Sequence, residues 1–439
     1  MDQKKSYRTA FIFVTVLFFL WGFITVLVDS LIPRLRELFT LSYFEAGLVQ
    51  FAFFGAYFLL SVPAGFILAK IGYKRGIILG LLTMAVGCLI FYPAASLREF
   101  WIFAVGYFTL AAGITVLQVA ANPYVTMLGP EKTASSRLNL AQAFNSLGTS
   151  IAPILGALFI LSDKVLNPEE INFLTEAQRE AYYIGEASAV QTPFLGIALF
   201  IALIAVFFAV VKLPKVQEET ATGGYGKVLK NKNLLLGALG IFFYVGAEVA
   251  LGSYLVNYFI TLGAADLVRQ SPFMSTIAGW LLSENSLGSD YALVGVFVTF
   301  YWSGAMVGRF IGSYLTSRFS PAKVLSVFAF SAIALVLISQ QTTGLVAMWT
   351  ILGVGLFNSI MFPTIFSLAL DGLGNNKAQG SGVLVSMIVG GAIVPPTFGF
   401  LTDSFGFNGA LILVMCCYAY ILFYAYGNQK RSMIKLKEA

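Results

Sequence analysis

Residues 10–32 read AFIFVTVLFFLWGFITVLVDSLI, twenty-three residues with one ionisable side chain, Asp29. A helix crosses a hydrocarbon core about 30 Å thick with about 20 apolar residues, so this stretch can span a bilayer and would hold one carboxylate inside it. It is too long for the core of a signal peptide and lacks a small-residue cleavage site, so it is expected to stay as the first span. Similar runs lie near 46–69, 76–95, 100–127, 138–162 and 192–212, then near 233–262, 291–316, 322–340, 344–371, 379–402 and 407–427. The expected fold is all-α and membrane-integral, with twelve transmembrane helices in two bundles. A chain of 439 residues that is 58% hydrophobic and 11% charged, with mean hydropathy +0.83, does not describe a water-soluble enzyme. The polar segment 213–232 reads as a cytoplasmic linker between an N-terminal bundle, 1–212, and a C-terminal bundle with a short basic tail, 233–439.

The net charge of +6 is not a nucleic-acid signal, because the 27 Lys and Arg sort by membrane side. With both termini cytoplasmic, 21 of the 27 fall on the cytoplasmic side, including Lys70, Lys74, Arg75, Lys323 and the tail Lys430 to Lys437. The opposite topology inverts that ratio and violates the positive-inside rule. The outer segment 163–191 carries six acids against two bases, in keeping with the same orientation. A bacterial inner membrane is the expected location. The three cysteines, Cys88, Cys416 and Cys417, sit in apolar runs and there is no histidine, so neither a metal centre nor a cofactor is expected.

The two halves match at an offset of about 240 residues. Gln118 precedes Pro123 by five positions, as Asn358 precedes Pro363; Gly148 precedes Pro153 by five, as Gly390 precedes Pro395. Gly65 to Arg75 after the second span is echoed by Arg309 to Lys323 after the eighth. Three matches in register indicate a parallel repeat of six spans, the design of a transporter whose site lies between two bundles at mid-membrane. Pro123, Gly148, Pro153, Pro363, Gly390 and Pro395 are then candidate kink and gating positions, with passive packing as the competing reading.

Two acids fall inside spans, Asp29 and Glu248, and no Lys or Arg is expected at their depth. A charge at the bilayer centre costs about 2.5–3.5 kcal/mol even on lenient scales, so each must face protein or a water-filled cavity. A proton or a sodium ion would neutralise them, which makes both candidate cation-coupling groups. Amides gather nearby: Gln118, Asn122, Gln142, Asn145, Asn257 and Asn358. With Tyr244 and Glu248 they form the candidate sugar-binding set, because amides offer hydroxyl-rich ligands donors and acceptors together and aromatic faces suit a pyranose. Interhelical hydrogen bonding is the competing role for each amide. Asn122 beside Pro123 is expected to help satisfy the carbonyl that the proline frees.

The runs Phe19-Leu20-Trp21-Gly22 ahead of Asp29, Ala121-Asn122-Pro123-Tyr124 and Arg137-Leu138-Asn139-Leu140-Ala141-Gln142 resemble the fucose–galactose–glucose symporter family of the major facilitator superfamily. Tyr244 to Val249 and Tyr254 to Tyr258 are more similar to its glucose/galactose branch. The resemblance covers almost the full length and implies the major facilitator fold. It also implies cation-coupled uptake, with H+ or Na+, of a neutral hexose such as glucose or galactose by alternating access. A span-one aspartate, matched by Asp29, and a span-four glutamate share proton coupling and sugar binding in the fucose transporters. Gln118 stands at the second position, which makes Glu248 the expected second carboxylate. Lys70 stands where the superfamily's loop motif places an aspartate. The expected partners are the sugar, the coupling cation and the bilayer, with a monomer as the assembly and no nucleic acid. The alternatives are an N-acetylhexosamine or fucose symporter and, remotely, a membrane-embedded enzyme acting on lipid-linked sugar.

Overall fold

The structure, a computed structural model, describes residues 2–29, 43–159, 173–216, 224–282 and 287–438. The described elements are helical. Those that concern the site are, in chain order, α1 Asp2–Asp29, α2 Tyr43–Ile71, α3 Tyr73–Leu97, α4 Phe100–Met127, α5 Ala134–Phe159 and α6 Glu176–Val210. There follow α7 Lys232–Thr261, α8 Val298–Arg318, α9 Pro321–Gln341, α10 Gly344–Asn358, α11 Met361–Ala369, α12 Lys377–Ser386 and α13 Gly390–Glu438. Among the described residues ten segments are long and apolar enough to cross a membrane. The segment Gly344–Ala369 joins α10 and α11, and Gly374–Arg431 takes in α12 and most of α13. Within α13 the chain turns at Gly406, where φ is 70°, a left-handed conformation that favours glycine.

Two compact units divide the chain. Unit one comprises Met1–Gly129, Phe144–Val228 and Leu373–Ser386; unit two comprises Pro130–Ala143, Leu229–Gly372 and Met387–Ala439. The units follow chain order except for two short segments, the start of α5 and the whole of α12, each of which packs with the other half. In unit two, Asn139 of α5 donates to Thr364 Oγ1 of α11 at 3.2 Å, and Ser135 and Ser367 share a short hydroxyl contact. In unit one, Ser381 of α12 donates to the Val119 carbonyl of α4 at 2.9 Å.

Close helix packing in lipid depends on small residues, since apolar side chains gain little by leaving acyl chains for one another. α3 and α4 show how this works within unit one. Gly80 and Gly87 lie seven apart on α3, as Gly106 and Gly113 do on α4, so each pair shares a face. A Cβ at Gly113 would lie 2.4 Å from the Met84 nitrogen, and one at Gly87 would lie 2.5 Å from the Leu110 nitrogen. Bulky apolar side chains point the other way, with Phe51, Val86, Leu199 and Phe423 at least half exposed, as a lipid-facing surface requires.

The helix that carries the sixth span begins well before its apolar stretch. α6 starts at Glu176, where Thr175 and Gln178 form a reciprocal capping box, so the helix runs through a polar stretch before it turns apolar near Gln191.

Candidate functional site

Unit one buries its polar groups on α2, α4 and α5. Gln118 donates through Nε2 to the Tyr57 hydroxyl at 2.6 Å, and both residues are buried. Asn122, one turn further along α4, is fully buried. Asn145 donates through Nδ2 to the Phe18 carbonyl of α1 at 2.9 Å. Glycine makes that approach possible on both helices: a Cβ on Gly22 would lie 2.4 Å from the Asn145 carbonyl oxygen, and one on Gly148 would lie 2.2 Å from that of Phe19. Asp29 is the last residue of α1, and its side chain lies outside the described residues.

Unit two repeats the pair. Asn358 donates through Nδ2 to the Tyr301 hydroxyl at 2.6 Å, and Tyr301 in turn donates to the Glu248 carbonyl at 3.3 Å. The Glu248 carboxylate faces Tyr244 and the Arg309 guanidinium. This corrects the expectation that Glu248 has no cation at its depth. Arg309 had been assigned to the cytoplasmic end of the eighth span. It sits nine residues before the end of α8, about 13 Å of helical rise at 1.5 Å per residue.

The two prolines act in the same way in the two units. Proline has no N–H, so Pro123 leaves the Val119 carbonyl without its helical donor and Pro363 does the same to Ser359. Ser381 supplies a hydroxyl to the first at 2.9 Å, and Arg309 supplies Nε–H to the second at 3.2 Å. The donor to the Val119 carbonyl is thus a residue 262 positions away rather than the adjacent Asn122. α4 continues unbroken through Pro123, whereas the chain at Pro363 is interrupted between Asn358 and Met361. Gly390 matches Gly148 in its contact too, since a Cβ there would lie 2.0 Å from the Phe242 carbonyl oxygen. Pro153 is exposed within α5 and Pro395 is buried within α13.

Other candidates lie apart from these clusters. Asn257 lines a separate cavity of about 300 Å3 with Tyr254, Tyr291, Thr402 and Asp403. Gln142 is buried in the part of α5 that belongs to unit two. Two other buried tyrosines are engaged in packing: Tyr124 donates to the Pro214 carbonyl at 3.0 Å, and Tyr258 to that of Ser339 at 3.1 Å. Tyr57, Tyr301, Arg309 and Ser381 were absent from the sequence-based site. Among the described residues no three His, Cys, Asp or Glu group as a metal site would require.

The family model for the Major Facilitator Superfamily matches residues 9–388. The chain belongs to the major facilitator superfamily. It is 48% identical over 432 residues to a glucose/galactose transporter of Brucella abortus biovar 1 (strain 9-941), covering 98% of this chain and 96% of the relative. It is 37% identical over 433 residues to the L-fucose-proton symporter of Escherichia coli (strain K12), covering 96% and 94%. Among solved structures it resembles the major facilitator transporter FucP, crystallised in the outward conformation, with a TM-score of 0.85, 35% identity, and coverage of 96% and 99%. The protein is therefore a membrane transporter of this superfamily, and the reading as an enzyme acting on lipid-linked sugar falls with that assignment.

Proposed function

We propose that this transporter is a symporter that takes up a neutral hexose, glucose or galactose, with a proton. Its twelve crossings form two six-helix bundles, 1–212 and 233–439, joined by the linker 213–232, with both termini in the cytoplasm of a bacterial cell. The observation that carries this reading is the repeated amide–tyrosine pair, Gln118 with Tyr57 and Asn358 with Tyr301. Each pair is neutral, buried and able both to donate and to accept, the chemistry that recognises a sugar hydroxyl rather than an ion or an acyl chain. The likeness to a glucose/galactose transporter and to an L-fucose-proton symporter supports the same substrate class, and the second supports the proton as coupling ion.

In this reading Asp29 carries the coupled proton. Gln118, Asn122, Gln142, Asn145, Tyr244, Glu248, Asn257 and Asn358 supply sugar contacts or hold the groups that do. Glu248, facing Tyr244 and Arg309, is assigned to orienting hydroxyls. Alternating access then turns on the kinks at Pro123, Pro153, Pro363 and Pro395 and the close contacts at Gly148 and Gly390.

The test is uptake into proteoliposomes of labelled glucose, galactose, fucose and N-acetylglucosamine, under an imposed proton gradient or an imposed sodium gradient. Accumulation of glucose or galactose driven by the proton gradient and abolished by a protonophore is the expected result. Accumulation under the sodium gradient alone would reassign the ion, and no sugar accumulation under either gradient would overturn the proposal.

A further inference from the structure

Unit one contains a second cavity, remote in character from the amide pairs. It has a volume of about 690 Å3, within the range of about 300–1,000 Å3 usual for small-molecule sites. Its walls are the turn between α2 and α3 and the chain leaving α6. They bring together five cations, Lys70, Lys74, Arg75, Lys212 and Lys215, and among the described lining residues there is no Asp or Glu. Gly72 sets the geometry: at φ 81° it reverses the chain, so that Lys70 at the end of α2 and Lys74 and Arg75 at the start of α3 line the same cavity. Lys74 donates to the Ala209 carbonyl at 2.8 Å, tying α3 to the last turn of α6. Tyr73 also lines the cavity. It is 5% exposed, and its hydroxyl has no hydrogen-bond partner.

Cationic side chains on an ordinary positive-inside loop spread into water, each solvated separately. Here five are gathered around one concavity, with the unpartnered Tyr73 hydroxyl buried beside it. We propose that this cavity binds a phosphate-bearing anion. A phosphate has enough acceptor oxygens to bridge Lys70 and Arg75 on one wall to Lys212 and Lys215 on the other, with Arg75 able to bind in a bidentate manner and Tyr73 donating its O–H. Bound there, the anion links the α2–α3 turn to the segment that enters the linker. Its chemistry is shared by an anionic lipid headgroup and a soluble phosphate. On the orientation proposed above, the cavity opens to the cytoplasmic side, where both occur. Binding itself does not depend on the sugar or on that orientation.

The test uses the purified full-length chain in neutral detergent. One arm adds phosphatidylglycerol or phosphatidylcholine and counts bound lipid by native mass spectrometry; the other titrates inorganic phosphate against chloride at matched ionic strength by calorimetry. Each arm compares wild type with Lys212→Gln/Lys215→Gln, with Tyr73→Phe, and with Lys227→Gln/Lys230→Gln as a control for general surface charge. Saturable binding of phosphatidylglycerol but not phosphatidylcholine, weakened about thirtyfold in the Lys212/Lys215 pair and unchanged in the control, assigns a lipid headgroup. That factor corresponds to about 1 kcal/mol for each basic residue near an anionic headgroup. Saturable inorganic phosphate binding with the same variant pattern assigns a soluble ligand. Tyr73→Phe keeps every charge and is expected to weaken binding about threefold. The proposal is overturned if neither arm saturates in wild type, if the two lysine pairs weaken binding equally, or if both cavity variants bind as wild type does.

Discussion

The amide–tyrosine pair of unit one and that of unit two have the same length, 2.6 Å, and lie about 240 residues apart, yet their surroundings differ in charge. Around Gln118 and Tyr57 the described partners are neutral, and the carbonyl freed by Pro123 takes a serine hydroxyl. Around Asn358 and Tyr301 stand Glu248 and Arg309, and the carbonyl freed by Pro363 takes a guanidinium N–H. What the two units share is a way of stabilising a proline-bearing helix inside a bilayer. What differs is chemistry, and that is where function is to be sought. In unit one Asp29 closes α1, whereas in unit two Glu248 lies in the field of Arg309.

The largest expected effect tests which unit couples. Asp29→Asn should reduce gradient-driven sugar accumulation to simple equilibration, while counterflow, which needs no net proton movement, continues. Both are measured in the same proteoliposomes. Accumulation at the wild-type level would remove Asp29 from the coupling and move that role to the charged cluster of unit two.

A substitution in that cluster should act on stability. Arg309→Met leaves the Glu248 carboxylate without its cation and the Ser359 carbonyl without its donor, and breaking a buried pair costs about 3 kcal/mol at the lower end of the usual range, appropriate to partly buried groups. Glu248→Gln added to it should recover part of the loss, because the amide needs no counter-charge. Melting of the three variants in detergent gives the coupling, and a double variant no more stable than Arg309→Met alone would show that the two side chains do not balance each other.

These cases also show what the sequence could reveal. Composition and apolar run length made the helical membrane fold legible, and the spacing of Gln118 to Pro123 and Asn358 to Pro363 exposed the repeat. The spacing of Gly148 and Gly390 was equally legible, and in the structure both glycines stand where backbones approach closely. The reading failed on Arg309 because it was assigned to a membrane side as part of a loop-like motif, where counting helical rise back from Arg318 would have placed it inside. Ser381 was beyond reach, since nothing local links it to a carbonyl 262 residues earlier. The early start of α6 was written in the Thr175 to Gln178 spacing, but hydropathy outweighed that polar signal.

A smaller effect is expected from Gln118→Ala, which tests whether the neutral pair touches sugar or only holds α4 to α2. One lost hydrogen bond is worth about 0.5–1.5 kcal/mol, so sugar affinity should fall about two- to tenfold by calorimetry. Asn358→Ala examines the same point in unit two. A loss in one unit only would show that the repeat was kept for its geometry and that one copy binds. Unchanged affinity in both would make the pairs interhelical ties.

The smallest effect should come from Ser381→Ala. The Val119 carbonyl would lose its hydroxyl donor at a site with 0% exposure for Ser381, where water has little access to replace it. The bond is neutral, so the cost should be near 1 kcal/mol, about a third of that for Arg309→Met. The ratio is the informative quantity, because each donor serves the carbonyl freed by the matching proline and only one of them also faces an acid. If Ser381→Ala destabilised the protein as much as Arg309→Met, relief of the orphaned carbonyl would dominate in both units and the charge on Arg309 would add little. If Ser381→Ala were neutral, α4 would tolerate the unpaired carbonyl, in keeping with its unbroken course through Pro123, and the cost of Arg309→Met would be electrostatic.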